Sequence, residues 1–463
     1  MLKDISQIAF HKNILDSIGN TPLIRLNKLT RGLRGHYFVK VESFNPGGSV
    51  KDRIGVEIID DAEREGRLRP GGTIVEATSG NTGVGLAIVA AIRGYKSVFT
   101  LPDKMSIEKI RLLRAYGAEV VVTPTAVAHD SPESYTEVAK RIVRETPNSI
   151  LANQYYHPRN PESHYKTTGP EIWEQTGGQV DVFVAGMGTG GTISGTGKYL
   201  KEKNPAIRVI GADPKGSILR EYFYTKKLSH DSKPYKVEGI GQDFLPGTLH
   251  FEFIDDVVES TDKEAFSMCR RLTREEGIFV GGSCGTAVAC ALKYAADHMK
   301  DDSVMVILLP DTGERYLSKI YNDDWMRENG FLTPEKITVR YVLQGKSKTV
   351  PQLVSVDPSM TVRDALGLFK EHDVAQLPVL DKGVPAGTVI DNDLMSAVLE
   401  DSSLLDSPVV KVMKPSFPVI GIDSPIEHAI DFLKKKDSAV LVQEERKIAG
   451  ILTRYDIIEY MSR

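Results

Sequence analysis

The chain has 463 residues, 41% of them hydrophobic and 26% charged, and a net charge of −4. That length predicts about two to four domains, and the composition is that of a globular protein with ample core. The charge gives no electrostatic reason to expect nucleic acid or an anionic membrane as partner, and the longest apolar runs, 86–92 and 304–309, are far short of a bilayer span.

At the start, Met1-Leu2-Lys3-Asp4 puts an acidic residue where a signal peptide needs an apolar stretch. Cys269, Cys284 and Cys290 have no metal-ligand spacing, and an odd number argues against a disulfide framework. The ten histidines show no H-E-x-x-H spacing, so no metal site is expected. The expected compartment is the cytoplasm.

Lys51 lies in Asn45-Pro46-Gly47-Gly48-Ser49-Val50-Lys51-Asp52-Arg53, a glycine-bearing turn ahead of a helix-like stretch over 53–65. Alone it reads as a solvated lysine at a helix start. Three small-residue loops downstream change that reading. The first, Thr78-Ser79-Gly80-Asn81-Thr82-Gly83, follows a strand-like run over 73–77 and precedes a helix-like 83–93. Helix capping accounts for one or two of its hydroxyl and amide side chains, not for all of them. A helix start with extra hydroxyl donors suits a carboxylate, and Asn81 is placed to reach a cofactor hydroxyl.

Strand-like runs continue at 97–101, 119–123, 180–185, 208–212 and 304–309, separated by helix-like 107–116, 192–202 and 286–299. This alternation predicts right-handed βαβ crossovers and a mainly parallel sheet, with ligand loops at the strands' carboxyl ends. Gly186-Met187-Gly188-Thr189-Gly190-Gly191 follows the run at 180–185 and fits the G-x-G-x-x-G dinucleotide pattern, with Asp213 in the ribose-reading position. Thr189 and Thr192 suit a terminal phosphate better than a bridging pyrophosphate. Lys51 and the 78–83 loop also have work to do only if the ligand is pyridoxal phosphate. The last loop, Gly281-Gly282-Ser283-Cys284-Gly285, offers Ser283 as a partner for a pyridine ring nitrogen. A hydroxyl there bonds the nitrogen without keeping it protonated, which favours β-replacement over transamination.

The pattern changes near residue 330. Residues 333–352, with Pro334, Pro351 and scattered basic residues, read as a linker between a catalytic core over 1–332 and a module over 353–463. Within that module, Val356-Asp357-Pro358-Ser359 and Ile422-Asp423-Ser424-Pro425 open two copies of a repeat, about 353–400 and 412–463. Each copy reads strand, helix, two strands, helix. Two copies are too few for a solenoid and must pack on each other.

These motifs together resemble the fold type II, tryptophan-synthase-β-like pyridoxal phosphate enzymes over about 14–332. Within that family they are similar to the cystathionine β-synthases and the cysteine synthases. The resemblance implies an α/β core of two subdomains with open, mainly parallel sheets. It makes Lys51 the Schiff-base lysine, and Gly188, Thr189, Gly190, Gly191 and Thr192 the phosphate cup. Asn81 would meet the cofactor's ring hydroxyl and Ser283 its ring nitrogen. Thr78, Ser79, Thr82, Gln154, Tyr155 and Gly239 would contact the substrates.

Residues 353–463 resemble an α/β tandem CBS-domain (Bateman) module. Its ribose-binding pattern is kept in the second copy as Thr453-Arg454-Tyr455-Asp456, whereas Ile390 takes the hydroxyl position in the first. One S-adenosylmethionine or adenine-nucleotide site is therefore implied, at Thr453 and Asp456. Haem-bearing relatives carry a cysteine and a histidine in a longer N-terminal extension. His11 stands alone here, so no haem is expected.

The implied reaction joins L-serine and L-homocysteine into L-cystathionine and water, with hydrogen sulfide release when cysteine replaces serine. Gln242 stands where animal relatives carry tyrosine, which leaves the homocysteine-side contacts open. Two alternatives stand beside this reaction: a cysteine synthase using O-acetylserine and sulfide, and an adenosyl-ligand sensor with a vestigial core. Amino acids are the implied substrates, and a homodimer or higher homo-oligomer the implied assembly.

Overall fold

Branched and aromatic side chains pack well on a pleated surface, so the short runs rich in Val, Ile and Phe form the strands. The computed structural model describes residues 9–78, 80–103, 105–127, 131–228, 232–332, 337–346, 353–435 and 438–461. The chain divides into two units, Met1–Leu332 and Thr333–Arg463.

The first unit holds two open sheets. One has four parallel strands in the order Glu119–Thr123, Lys96–Pro102, Thr73–Ala77, Ser149–Leu151. The other orders Leu23–Arg25, His36–Val41, Val304–Leu309, Val182–Gly186, Arg208–Pro214 and Asp256–Ser260, and only its first strand is antiparallel. Alternate side chains of one strand enter different cores: Val182 and Val184 pack with Met305 and Ile307, whereas Phe183 and Ala185 pack with Ile193 and Val306. Helices thus cover both faces, which is why these strands read as unbroken apolar runs.

Helix starts fall earlier than the sequence reading places them. The helix predicted from 53 begins at Lys51, as Lys51–Arg64, the one predicted from 83 begins at Asn81, as Asn81–Arg93, and the one predicted from 286 begins at Gly282, as Gly282–His298. Gly285 looks like a turn residue in sequence, but it lies inside that helix. A Cβ there would collide with the carbonyl of Ala265 and the thiol of Cys269. Close helix packing, not a turn, requires it.

A buried ion cluster ties the start of the lysine helix to both neighbouring layers. Arg53, 3% exposed, donates to Glu42 at 2.7 and 2.9 Å and to Glu171 at 2.6 and 2.8 Å. Lys40, fully buried, adds bonds to Glu171 at 2.6 Å and to the Thr21 carbonyl at 2.6 Å. Burial works against Glu42 ionising, but Arg53, Thr21 and Lys40 outweigh it and hold its carboxyl below the usual range.

In the second unit each repeat keeps its hairpin and helices. Gln376–Asp381 pairs with Val384–Ile390 in the first copy, and Ala439–Glu444 with Lys447–Thr453 in the second. The opening strand is reduced in the first copy to a single bridge, Val356 to Val379, but survives in the second as Val419–Gly421. Gln376 and Ser438 join the copies, with a 2.5 Å bond from the Ser438 hydroxyl. Residues 337–346, which in sequence read as part of a linker, belong to this unit. They form the helix Val339–Gln344, whose Val339, Val342 and Leu343 enter the core of the second repeat beside Ile420, Ala429 and Leu452. Their apolar spacing is hidden among the basic residues. Among the described residues, no helix is long and apolar enough to cross a membrane.

Removing one partner of a buried ion pair leaves an uncompensated charge and costs about 3–5 kcal/mol. Arg53→Met should lower the stability of the first unit by roughly that amount. Both tryptophans, Trp173 and Trp325, lie in this unit, so fluorescence during guanidinium unfolding reads it separately.

Candidate active site

Four helices begin at one cavity of ≈ 700 Å³, and their first turns carry Lys51, Asn81 with Thr82, Thr192, and Ser283. Each helix start carries partial positive charge and unpaired N–H groups, so the cavity favours anionic ligands. The strands deliver these helices: Asn81–Arg93 follows Thr73–Ala77, and Gly191–Lys203 follows Val182–Gly186.

Lys51 lies half-buried on the lining. Burial pushes its ammonium down to about 8, against the partial opposition of Asp311 and Glu42. A lysine at that value is partly neutral near pH 7–8 and can act as nucleophile and base.

Gly188, Thr189, Gly190 and Thr192 line the cavity with Lys51, and Gly191 opens their helix. Gly190 has φ +88°, a left-handed conformation that turns the strand into the helix start and that glycine adopts without strain. Gly239 and Gly241 lie against this loop through a 2.7 Å bond from Gly241 N–H to the Met187 carbonyl. Asp213, the candidate ribose-reading acid, is not among the lining residues. It is buried and accepts the Arg220 N–H at 3.0 Å.

The amide of Asn81 is fixed by two charged groups. Its Nδ2 donates to Asp311 at 2.8 Å, and Arg315 donates to its Oδ1. Asp311 also accepts from Tyr316 at 2.6 Å, and Arg315 holds the Gly47 carbonyl of the lysine turn. A guanidinium only donates and a carboxylate only accepts, so the orientation of this amide is fixed where Asn81 lines the cavity.

Thr82 donates to Gln154 at 2.6 Å, and Gln154 donates to the Ala77 carbonyl at 3.1 Å. Thr78, proposed from the sequence as a substrate contact, is wholly buried and does not line the cavity. Its hydroxyl accepts the Gly80 N–H at 3.0 Å and shapes the turn. Ser79 lies outside the described residues. Tyr155 and Gln242 both line the cavity, and the Tyr155 hydroxyl is bonded to Gln242 and to Tyr135. Ser283 is 4% exposed and also lines the cavity. The Cys284 thiol is turned away, toward the Asp311 carbonyl at 3.4 Å, and burial pushes it well above its ordinary value. Among the described residues, no group of three or more His, Cys, Asp or Glu is arranged to hold a metal ion.

Sequence reading missed several supporting groups. Asp311 and Arg315 carry no motif of their own, though Asp311 sits just past the end of Val304–Leu309, where ligand groups concentrate. Glu76 points from its strand beneath the 153–154 loop and accepts the N–H of Asn153 at 2.6 Å and of Gln154 at 3.1 Å. Burial raises its carboxyl to about 7 despite those bonds. Glu238 bridges Lys109 at 2.6 Å and Lys319 at 2.7 Å at the cavity's edge.

In the second unit, Thr453 donates to Asp456 through its hydroxyl at 2.8 Å and its N–H at 2.7 Å. Lys346 pairs with the other Asp456 oxygen at 3.0 Å, so this carboxylate already has a cation on it.

A partly neutral lysine among helix starts that favour anions defines an enzyme built around an amine nucleophile and a phosphate-bearing ligand. The chain belongs to the family described as pyridoxal-phosphate dependent enzymes, whose pattern matches residues 14–311, and it carries two CBS domains at 348–400 and 409–463. It is 40% identical to a cystathionine beta-synthase of Dictyostelium discoideum, covering 97% of this chain and 92% of that one. It is 38% identical to the cystathionine beta-synthase of Saccharomyces cerevisiae, over the full length of both. A solved structure of a hydrogen sulfide-producing enzyme from Fusobacterium nucleatum is 37% identical with a TM-score of 0.62, covering 66% of this chain and all of that one. The fold expected from the sequence is borne out. The cavity suits pyridoxal phosphate: an amine, a glycine-threonine loop at a helix start and a fixed amide donor surround one space, and the enzyme acts on amino acids.

Attachment of pyridoxal phosphate to the apoenzyme, read by visible absorbance, should speed up with pH through about 8, because the neutral Lys51 amine forms there and not near the usual ~10.4. Lys51→Ala should abolish it. Glu76 is ionised above about 7, so its grip on the 153–154 loop weakens as pH falls through 7 and the amino-acid KM should rise. Glu76→Gln, which sets an amide donor against one of the two N–H groups, should raise KM roughly ten-fold at pH 8 and erase that pH limb.

Proposed function

We propose that this enzyme condenses L-serine with L-homocysteine to give L-cystathionine and water, with Lys51 as its catalytic residue. The meeting of Lys51, Asn81, the 188–192 loop and Ser283 in one cavity carries this reading. The likeness to two cystathionine beta-synthases along nearly the whole chain, paired CBS domains included, supports it over a sulfide-using alternative.

Pyridoxal phosphate, when bound, supplies the electron sink that lets the serine Cα proton and β-hydroxyl depart. We assign its phosphate to Gly188, Thr189, Gly190, Gly191 and Thr192, its ring hydroxyl to Asn81 and its ring nitrogen to Ser283. Lys51 holds the cofactor at rest. Displaced by the serine amine, its own amine takes the Cα proton and passes one to the departing hydroxyl, which leaves as water. Thr82 and Gln154 hold the serine carboxylate, and Tyr155 and Gly239 border the space for the incoming thiol. One amine serves as anchor, base and acid because it stays within reach of each proton.

The likeness to a hydrogen sulfide-producing enzyme favours cysteine as a second amino-acid donor, releasing hydrogen sulfide in place of water. An adenosyl ligand is assigned to Thr453 and Asp456, where the carboxylate is already oriented by Thr453. The three free, buried thiols suit a reducing cytoplasm.

Steady-state rates should favour serine with homocysteine over O-acetylserine with sulfide by at least about ten-fold in kcat/KM, or ~1.4 kcal/mol. The reverse order would make the enzyme a cysteine synthase. Repeating the assay with S-adenosylmethionine tests the second unit, which should change the rate or the melting temperature.

A further inference from the structure

The segment Asn160-Pro161-Glu162-Ser163-His164 contains no ligand motif, yet the helix Arg159–Lys166 lies directly against the phosphate loop. A Cβ on Gly191 would overlap the Asn160 side chain, and one on Gly195 would overlap the Pro161 carbonyl. The two helices therefore pack at a separation that only glycine allows. Asn160 and His164 stand four residues apart, on one helix face, and are 1% and 0% exposed.

The Asn160 amide donates to the Gln154 carbonyl at 2.7 Å and to the Thr189 hydroxyl oxygen at 3.0 Å. A carbonyl only accepts, so the amide's orientation is fixed and both its hydrogens are used. The Thr189 oxygen also accepts the Gly191 N–H at 3.4 Å. With both lone pairs engaged, that hydroxyl must send its proton elsewhere, and Thr189 lines the cavity.

His164 repeats the arrangement one helical turn on. Its Nε2 lies 3.2 Å from the Thr192 hydroxyl and its Nδ1 2.9 Å from the Thr168 hydroxyl. Burial, with Lys51 and Arg53 close by, keeps the ring neutral, so it carries one N–H. Thr168 is wholly buried, and its hydroxyl proton finds its acceptor in Nδ1. The ring proton then sits on Nε2 and is given to Thr192.

We infer that Asn160 and His164 are positioning residues for the cofactor phosphate, each donating to a threonine of the loop so that both hydroxyls must donate outward to a fully ionised phosphate. An ionised phosphate only accepts, so a loop whose hydroxyls are already supplied with donors is polarised for it before it arrives. The inference rests on the assignment of the 188–192 loop to phosphate.

The test uses the full-length apoenzyme titrated with pyridoxal phosphate and with pyridoxal, which lacks the phosphate, followed by visible absorbance. Asn160→Asp and His164→Leu should each cut the preference for the phosphorylated form at least ten-fold while pyridoxal binding stays near the unsubstituted level. His164→Gln, which keeps a donor near Nε2, should recover most of that preference. Thr192→Val, which also removes the hydroxyl's own bond to the phosphate, should cut the preference at least as far as His164→Leu, and adding His164→Leu to it should cost nothing more, because the histidine then has no hydroxyl left to supply. The phosphorus NMR signal of the bound cofactor should move with the preference. Variants of unchanged melting temperature that keep the preference, lose both ligands in equal proportion, or combine additively would overturn the inference. An unsubstituted enzyme with no preference for the phosphorylated form would instead overturn the phosphate assignment itself.

Discussion

The ion cluster around Arg53 is the constraint on which the catalytic unit depends. Arg53 is two residues from Lys51 and bonds Glu42, at the end of one strand, and Glu171, on a helix behind it. Any rotation of the lysine helix would pull these charges apart in a medium too poorly solvating to stabilise them singly. The direction of Lys51 is thereby tied to the six-stranded sheet, although the lysine itself makes few polar contacts. An amine that must bond, release and abstract in turn needs that combination of a fixed backbone and an uncommitted tip.

A second level of organisation follows from where helices start. Four of them begin at the cavity, so backbone dipoles supply the field for an anionic ligand without a cluster of lysines that would oppose one another. The low dielectric that strengthens this field also shifts the buried titratable groups. It lowers Lys51 toward neutrality and raises Glu76. Side chains that touch no ligand then set the polarity of those that do. Asp311 and Arg315 turn Asn81, Glu76 holds the 153–154 loop, and Asn160 and His164 supply the loop threonines. The site is specified as much by this surrounding layer as by its lining.

The second unit applies the same physics more loosely. Its repeats share a pattern, but Ile390 removes the hydroxyl from one copy while Thr453 and Asp456 keep theirs. Lys346, from a segment whose composition suggests a linker, bonds the carboxylate that a ribose would need. A basic stretch without an evident stripe is easily read as solvated. It packs here because Val339, Val342 and Leu343 fall on one face of a single short helix.

The sequence by itself determined six strands of the catalytic unit, their parallel direction and the ligand loops. Those signals are local: apolar runs of fixed period, and small polar residues at strand-to-helix junctions. It also singled out Lys51, because an amine near several anion-binding loops points to one kind of chemistry. Tertiary structure alone decided which side chains act together. Thr78 looks like a ligand residue but turns inward to hold Gly80, and Asp213 sits at the expected spacing yet bonds its own neighbouring helix. Asn160, His164, Glu76 and Arg315 carry no local signal at all, and Asp311 carries only its place past the end of a strand. Their roles come from contacts between residues as many as 268 positions apart, such as Gly47 with Arg315, and no spacing rule along the chain can reveal a hydrogen bond that only folding brings within reach.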